Sequence, residues 1–250
     1  MMSKMNAKIL LSFAIAITTL NLGAQVVSPV TPAKIKGHTY AEWSEKWWQW
    51  VFSLPVTHNP LFDNADVSTG QKDDVWFLGG SFNTATVVRS VTIPHDKLLF
   101  FPILNAWEDD TDCNGSQRSS FGEALADLRS DLQSNVDTAQ NVSCTIDGMD
   151  IPGLADAAHS DYRVQSSSPD GFNYDLPAIN NFLNSLGLTC WSSAHGPVHV
   201  DANIYHPVAD GIYIMLAPLA PGSHVLHFHG EATFFGEFFA LDVTYNITSM

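Results

Sequence analysis

Four tryptophans within eight residues, Trp43, Trp47, Trp48 and Trp50, constrain this chain more than any other feature. They sit in the segment from Thr39 to Pro55. Thr39 and Glu42 have the spacing of a capping box, which predicts that a helix starts here. Pro55 predicts where it stops, because proline lacks a backbone donor and pushes the preceding residue out of helical geometry. Tyr40, Trp43, Trp47, Trp50 and Leu54 then recur at steps of three and four and share one helical face. Each buried aromatic ring removes about 150–250 Å² from water. A stripe this large needs a flat apolar surface to receive it, so Trp43, Trp47 and Trp50 are expected to anchor the helix on a sheet. The alternative is an exposed aromatic platform for sugar or lipid.

The sequence downstream supplies that sheet. Val75 to Leu78 ends at Gly79-Gly80. Thr84 to Ile93 alternates, with Val87, Val91 and Ile93 on one face. Leu98 to Leu104 is a nearly continuous apolar run, the pattern of a strand buried on both faces, and Pro102 predicts a bulge or an early end. Ser120 and Glu123 form a second capping-box pattern, and Leu125, Leu128, Leu132 and Val136 give the stripe of a helix over about 120 to 137. Val142 to Ile146 and Tyr162 to Gln165 read as strands, and Pro177 to Leu186 as a short helix. Val198, Val200, Ala202 and Ile204 alternate with polar neighbours. Gly211 to Leu216, His224 to Glu231 and Phe239 to Ile247 complete a strand-rich end. Strands about ten residues apart with Gly/Pro turns predict a mainly β fold, an antiparallel β-sandwich of jelly-roll or immunoglobulin-like type, with the Trp-rich helix and one or two further helices added.

The N-terminus sets the expected compartment. Lys4 and Lys8 flank the apolar run Ile9 to Leu20, followed by Leu22-Gly23-Ala24. This reads as a signal peptide over 1–24, although Leu22 stands where a small residue is usual. The run is shorter than the about 20 residues a bilayer span needs, and no later stretch qualifies, so stable membrane insertion is not expected. Residues 25–38 read as an extended lead-in and 39–250 as one domain. Without the two leader lysines, nine basic side chains face 26 acidic ones. That balance argues against nucleic acid and anionic membranes and is compatible with cations. Export makes a disulfide feasible among Cys113, Cys144 and Cys190. The expected pair is Cys113–Cys144, closing the second helix onto the next strand and leaving Cys190 free; the other two pairings stay open.

Two clusters are candidate ligand sets. His227, His229 and Glu231 are two apart and so project from one face of one strand, as do His199 and Asp201 on another. If those faces were neighbours, His199, His227, His229 and Glu231 would suit a transition metal such as zinc, copper or iron. The competing view is the ordinary solvated face of a sandwich. The run Asp110-Thr111-Asp112-Cys113-Asn114-Gly115 matches the first half of a calcium loop, with Asp110, Asp112 and Asn114 as ligands. Its twelfth position is Phe121 rather than the required Glu, and an acidic turn is the alternative. No serine-nucleophile elbow or phosphate-cradling glycine loop is present.

Tyr40-Ala41-Glu42-Trp43 with Trp47-Trp48-Gln49-Trp50, Val75-Trp76-Phe77-Leu78, Leu99 to Asn105, and Ala209-Asp210-Gly211 with Leu216 to His224 together resemble a group of exported bacterial proteins that has no assigned activity. The resemblance runs from about 39 to 231. It implies a secreted or periplasmic β-sandwich and supplies no catalytic residue. Asn105, polar at the end of a buried strand, is expected to face a pocket. The functional expectation is a module that binds a glycan, a cation or another small molecule. A metal-dependent hydrolase or oxygenase using the histidine set is the second reading, and a structural surface-interaction protein the third.

Overall fold

The computed structural model describes residues 24–27, 34–62, 67–82, 85–193 and 195–250. The expected signal peptide, but for Ala24, lies outside the described residues. The Trp-rich segment forms α1 (Tyr40–Ser53). Its capping box is complete: Glu42 N donates to Thr39 Oγ1 at 3.1 Å, and Thr39 N donates to the Glu42 carboxylate at 2.7 Å. Leu54, extended before Pro55, ends it. Trp43, Trp47, Trp48 and Trp50 are all buried, so the stripe is core rather than an exposed platform. Three indole N–H groups find carbonyls, Trp43 on Ile35, Trp47 on Leu78 and Trp50 on Thr69, at 2.8–3.0 Å. Those bonds remove the cost of burying the polar edge of each ring.

After α1 come β1 (Val75–Phe77), β2 (Val87–Ile93), β3 (Leu98–Glu108), β4 (Thr111–Asn114), β5 (Gln117–Ser120), α2 (Leu125–Val136), β6 (Gln140–Ile146), β7 (Met149–Asp150), β8 (Arg163–Gln165) and β9 (Tyr174–Leu176). Then follow α3 (Phe182–Ser185), β10 (Val198–Val200), α4 (Ala202–Tyr205), β11 (Val208–Leu216), β12 (Gly222–Phe234) and β13 (Glu237–Ser249). A four-stranded sheet in the order β1-β3-β11-β8 packs on a five-stranded sheet in the order β2-β13-β12-β6-β7. The long pairings are antiparallel, but β1 joins β3 and β2 joins β13 in parallel.

The layers follow from strand alternation. Leu99, Phe101, Ile212, Ile214 and Leu216 of the smaller sheet meet Leu226, Phe228, Val243, Tyr245 and Ile247 of the larger one. Phe100, Tyr213 and Met215 point the other way, into the aromatic cluster under α1. β3 and β11 are therefore covered on both faces, which is why their sequences are apolar throughout. The bulge expected at Pro102 is present: the register between β3 and β11 shifts where Ile212 pairs with Leu104 and Tyr213 with Pro102. Ile103 and Leu104 thereby both face the inter-sheet core. Among the described residues no helix is long and apolar enough to cross a membrane.

Three local expectations are corrected. α2 does not start with Ser120 as its cap. Ser120 ends β5, its hydroxyl donates to Asp110, and the helix starts after Ala124 without a side-chain cap. The alternation from Val198 to Ile204 is broken, because Asp201 caps the short helix α4 through Asn203 N at 2.9 Å. The disulfide joins Cys113 to Cys190, with Cα atoms 5.6 Å apart. Cys144 is free and buried. Its side chain faces the inter-sheet core, whereas Cys113 packs against the aromatic cluster on the other side of the β3 sheet, so the two sulfurs belong to different layers.

Candidate functional site

Strand alternation puts His227, His229 and Glu231 on the outer face of the five-stranded sheet. Asp242 of β13, directly opposite His229, joins them. Asp242 lies 3.3 Å from His227 Nε2 and 3.7 Å from His229 Nδ1, and Glu231 lies 3.5 Å from His229 Nε2. Asn141 Nδ2 donates to Glu231 at 2.7 Å. His199 is not part of this row. It belongs to the separate β9–β10 pair, where it contacts Asp175 at 2.7 Å. Among the described residues, no three His, Cys, Asp or Glu side chains are placed to hold one metal ion.

Asp110, Asp112 and Asn114 do not wrap a cavity either. β4 and β5 form a hairpin, so the segment is extended rather than looped. Asp110 is buried and its carboxylate accepts from Ser120, Gly122 N and Glu123 N. Asp112 accepts from Ser119 Oγ at 3.0 Å. The acid at 110 thus does for the 120–124 turn what a helix cap would have done.

A cavity of about 450 Å³ opens where β3 ends. Its walls come from five separate stretches of chain. Trp48 enters from α1, Asn105 to Asp109 and Thr111 from the end of β3 and the start of β4, Phe182 from α3, Leu186 and Leu188 from the turn after it, and Phe234 to Phe239 from the β12–β13 hairpin, with Phe82 at the rim. Asn105 reaches this wall as expected and donates to Tyr213 Oη at 3.3 Å. Phe82, Leu186, Phe235 and Phe238 are exposed, which is unusual for four large apolar side chains around one opening. The hairpin turns through Phe235 at φ 50° and Gly236 at φ 84°. Glycine adopts that left-handed geometry freely, but a bulky residue at Phe235 is strained.

The ionisable groups of the described lining are acidic, and its polar atoms are only partly satisfied. Glu108 Oε2 and the Trp107 indole N–H are buried without a hydrogen-bond partner. Burial pushes the Glu108 carboxyl up to about 7, and the nearby Asp131, Glu123 and Asp109 carboxylates add to the rise. Asp109 is pushed up to about 6, again chiefly by burial, although Thr111 N and Tyr174 Oη donate to it at 3.1 and 2.9 Å. Among the described residues, no Lys, Arg or His lines the cavity. An apolar cleft with a few unsatisfied polar groups and perturbed carboxyls is the usual signature of a small-molecule site. The clue in the sequence was the Trp107-Glu108-Asp109 run after the buried strand, together with Phe234-Phe235-Gly236-Glu237-Phe238-Phe239.

A second groove, of about 420 Å³, lies on the exposed side of α1 and includes Lys46, Gln49, Lys72, Asp73, Asp175 and His199. Its lining adds aromatic side chains, Trp43, Trp50, Phe77 and Tyr174, and its charges are of both signs. No protein-family model, curated protein or solved structure matches the chain. Fold and site together define a β-sandwich, roofed by an aromatic helix, with an acid-lined aromatic pocket at one end.

Proposed function

We propose that this protein is an exported, non-catalytic ligand-binding β-sandwich, and that its ligand is a small organic molecule with an apolar body seated in the cavity at the end of β3. The observation that carries the proposal is that cavity's lining. Trp48, Trp107, Phe182 and the four phenylalanines of the β12–β13 hairpin surround an unpartnered carboxylate oxygen and an unpartnered indole N–H. Leaving buried polar atoms unpaired costs about 1–3 kcal/mol each, a cost a bound ligand relieves. The strained Phe235 supports the same view, because strain kept at a rim points to a role there. Export is supported by the leader-like N-terminus and by the Cys113–Cys190 disulfide, which suits an oxidising compartment.

The test is a fluorescence titration of the full chain with a panel of small aromatic solutes, wild type against Trp107→Phe and Phe238→Ser. Saturable spectral shifts in the wild type that Trp107→Phe reduces and Phe238→Ser moves to higher concentration support the proposal. If no solute saturates the signal, or the variants respond like the wild type, the cavity is not the binding site.

A further inference from the structure

The charge pattern of the cavity goes one step further than its shape. We infer that the ligand carries an alkylammonium group, held against the aromatic wall that includes Trp48 and Trp107 and beside the carboxylate of Glu108, with Glu237 completing the acidic side of the opening. This inference rests on the aromatic cavity being the ligand site.

The argument is one of complementarity. Among the described residues, every ionisable side chain in the lining is a carboxyl: Glu108, Asp109 and Glu237. Asp109 is already committed to Thr111 and Tyr174. Glu108 keeps one buried oxygen free. The groups that act on Glu108 from the neighbouring elements are Asp131 on α2 and Glu123 before it, both acidic, with Asp109 beside it in sequence. The neighbouring charges therefore make the potential at Glu108 negative, within a chain of net charge −15. An anionic ligand would be repelled by this set of carboxyls, a neutral one would gain nothing from their charge, and a cation is drawn to the Glu108 oxygen that no protein donor occupies. The walls suit the same group, since a cation is attracted to the faces of Trp and Phe rings, most strongly when desolvated. Trp48 and Trp107 have centroids 6.3 Å apart with planes tilted by 41°, so the two rings adjoin each other in the cavity wall. A carboxylate beside aromatic rings is the chemistry that recognises methylated ammonium groups.

The site also implies a proton coupling. A cation prefers the ionised form of Glu108, whose carboxyl is raised to about 7. Affinity for a quaternary ammonium, which cannot itself titrate, should then rise with pH by about tenfold between about pH 6 and 8 and level off above.

The experiment uses phenyltrimethylammonium and its neutral isostere tert-butylbenzene on the full-length protein, followed by calorimetry and tryptophan fluorescence. The inference expects the cation to bind about tenfold tighter or more than the isostere, with the stated rise with pH. Glu108→Gln should lose most of that preference and the pH dependence. Glu237→Gln, on the exposed hairpin, should weaken the cation alone and serves if the first variant misfolds. If tert-butylbenzene binds as tightly as the cation and neither responds to pH, the inference is overturned while the ligand pocket stands. If neither probe binds, both fall. Vesicles of pure phosphatidylcholine separate the two sources of such a group. Retention on them that phenyltrimethylammonium displaces assigns it to a lipid headgroup, and soluble binding without retention assigns it to a free solute.

Discussion

Arg163 grips Asp210 with two nitrogens at once, Nε to Oδ1 at 3.1 Å and Nη2 to Oδ2 at 3.0 Å. The Asp210 side chain is only 2% exposed, and Gln165 Nε2 also donates to it at 3.2 Å. The same guanidinium reaches Asp137 and the carbonyls of Gln133 and Ala158, so one side chain ties β8, β11 and the end of α2 together. Removing one partner of a buried pair strands the other charge. Asp210→Ala should therefore cost about 3–5 kcal/mol. Asp137→Ala, at a carboxylate 43% exposed, should cost about 1 kcal/mol or less. Urea unfolding of both variants decides; equal losses would mean that burial of Asp210 does not set the strength of the contact.

The Cys113–Cys190 bond spans 77 residues and fastens the β4–β5 hairpin to the turn that carries Trp191. Arg118 lies over the Trp191 ring at 4.3 Å beside it. A loop of that length gives a cross-link worth about 4 kcal/mol on chain entropy alone, and less wherever the unfolded state keeps structure. Cys113→Ser should lower stability by about 2–4 kcal/mol. The thiol of Cys144 is pushed well above the usual range by burial, so it should resist reaction in the folded protein. A thiol assay on unreduced protein should find no reactive group when native and a single one after unfolding. A second released thiol would contradict the pairing.

The helix and the two-sided strands were legible from sequence because their signals are local. Thr39 and Glu42 are three residues apart, and a capping box needs nothing else. The apolar runs of β3 and β11 declare burial on both faces, and Pro102 cannot complete a ladder, so its bulge was foreseeable. Apart from the local cap of Asp201 on α4, the failures depend on which distant residues meet. Cysteine spacing does not encode pairing, and nothing near Cys113 announces Cys190. His199 alternates as a sheet residue should, yet it lies on a different ladder from His227, while Asp242 reaches that row only through the β12–β13 register. Ser120 had the right neighbour for a cap but was taken by Asp110. The cavity was the hardest feature to see, because its walls are five stretches that only the folded chain assembles.

Phe235 gives a prediction in which stability and binding move in opposite directions. It sits at φ 50°, is 60% exposed, and precedes Gly236 in the two-residue turn between Phe234 and Glu237. Asn-Gly is the favoured pair for such a turn, since Asn tolerates the left-handed region. Phe235→Asn should therefore stabilise the protein by about 1 kcal/mol, with little apolar burial lost. The same change removes a ring from the rim of the pocket and should weaken ligand binding. A raised melting temperature together with a weaker fluorescence titration is the expected result. A variant less stable than wild type would show that the Phe235 ring holds the hairpin rather than the ligand.

Glu108 should leave its mark on the pH dependence of stability even without a ligand. Its carboxyl titrates at about 7 in the folded protein, against the ordinary value of 4.5. The folded state thus holds a proton that the unfolded chain gives up. The stability this contributes is complete below about pH 4.5, declines as pH rises, and is gone once pH has passed through about 7. Glu108→Gln keeps the shape of the side chain and stays neutral at every pH, so it retains that stability throughout. Its melting temperature should match wild type near pH 4.5 and exceed it increasingly from about pH 5 to about pH 8, then run parallel. Because Glu108 is only partly buried, salt should shrink the difference, as added ions screen the repulsion from Asp131 and Glu123. A melting-temperature gap that stays constant with pH would place Glu108 in an ordinary solvated setting, and one of opposite sign would mean that a neighbouring cation stabilises its ionised form.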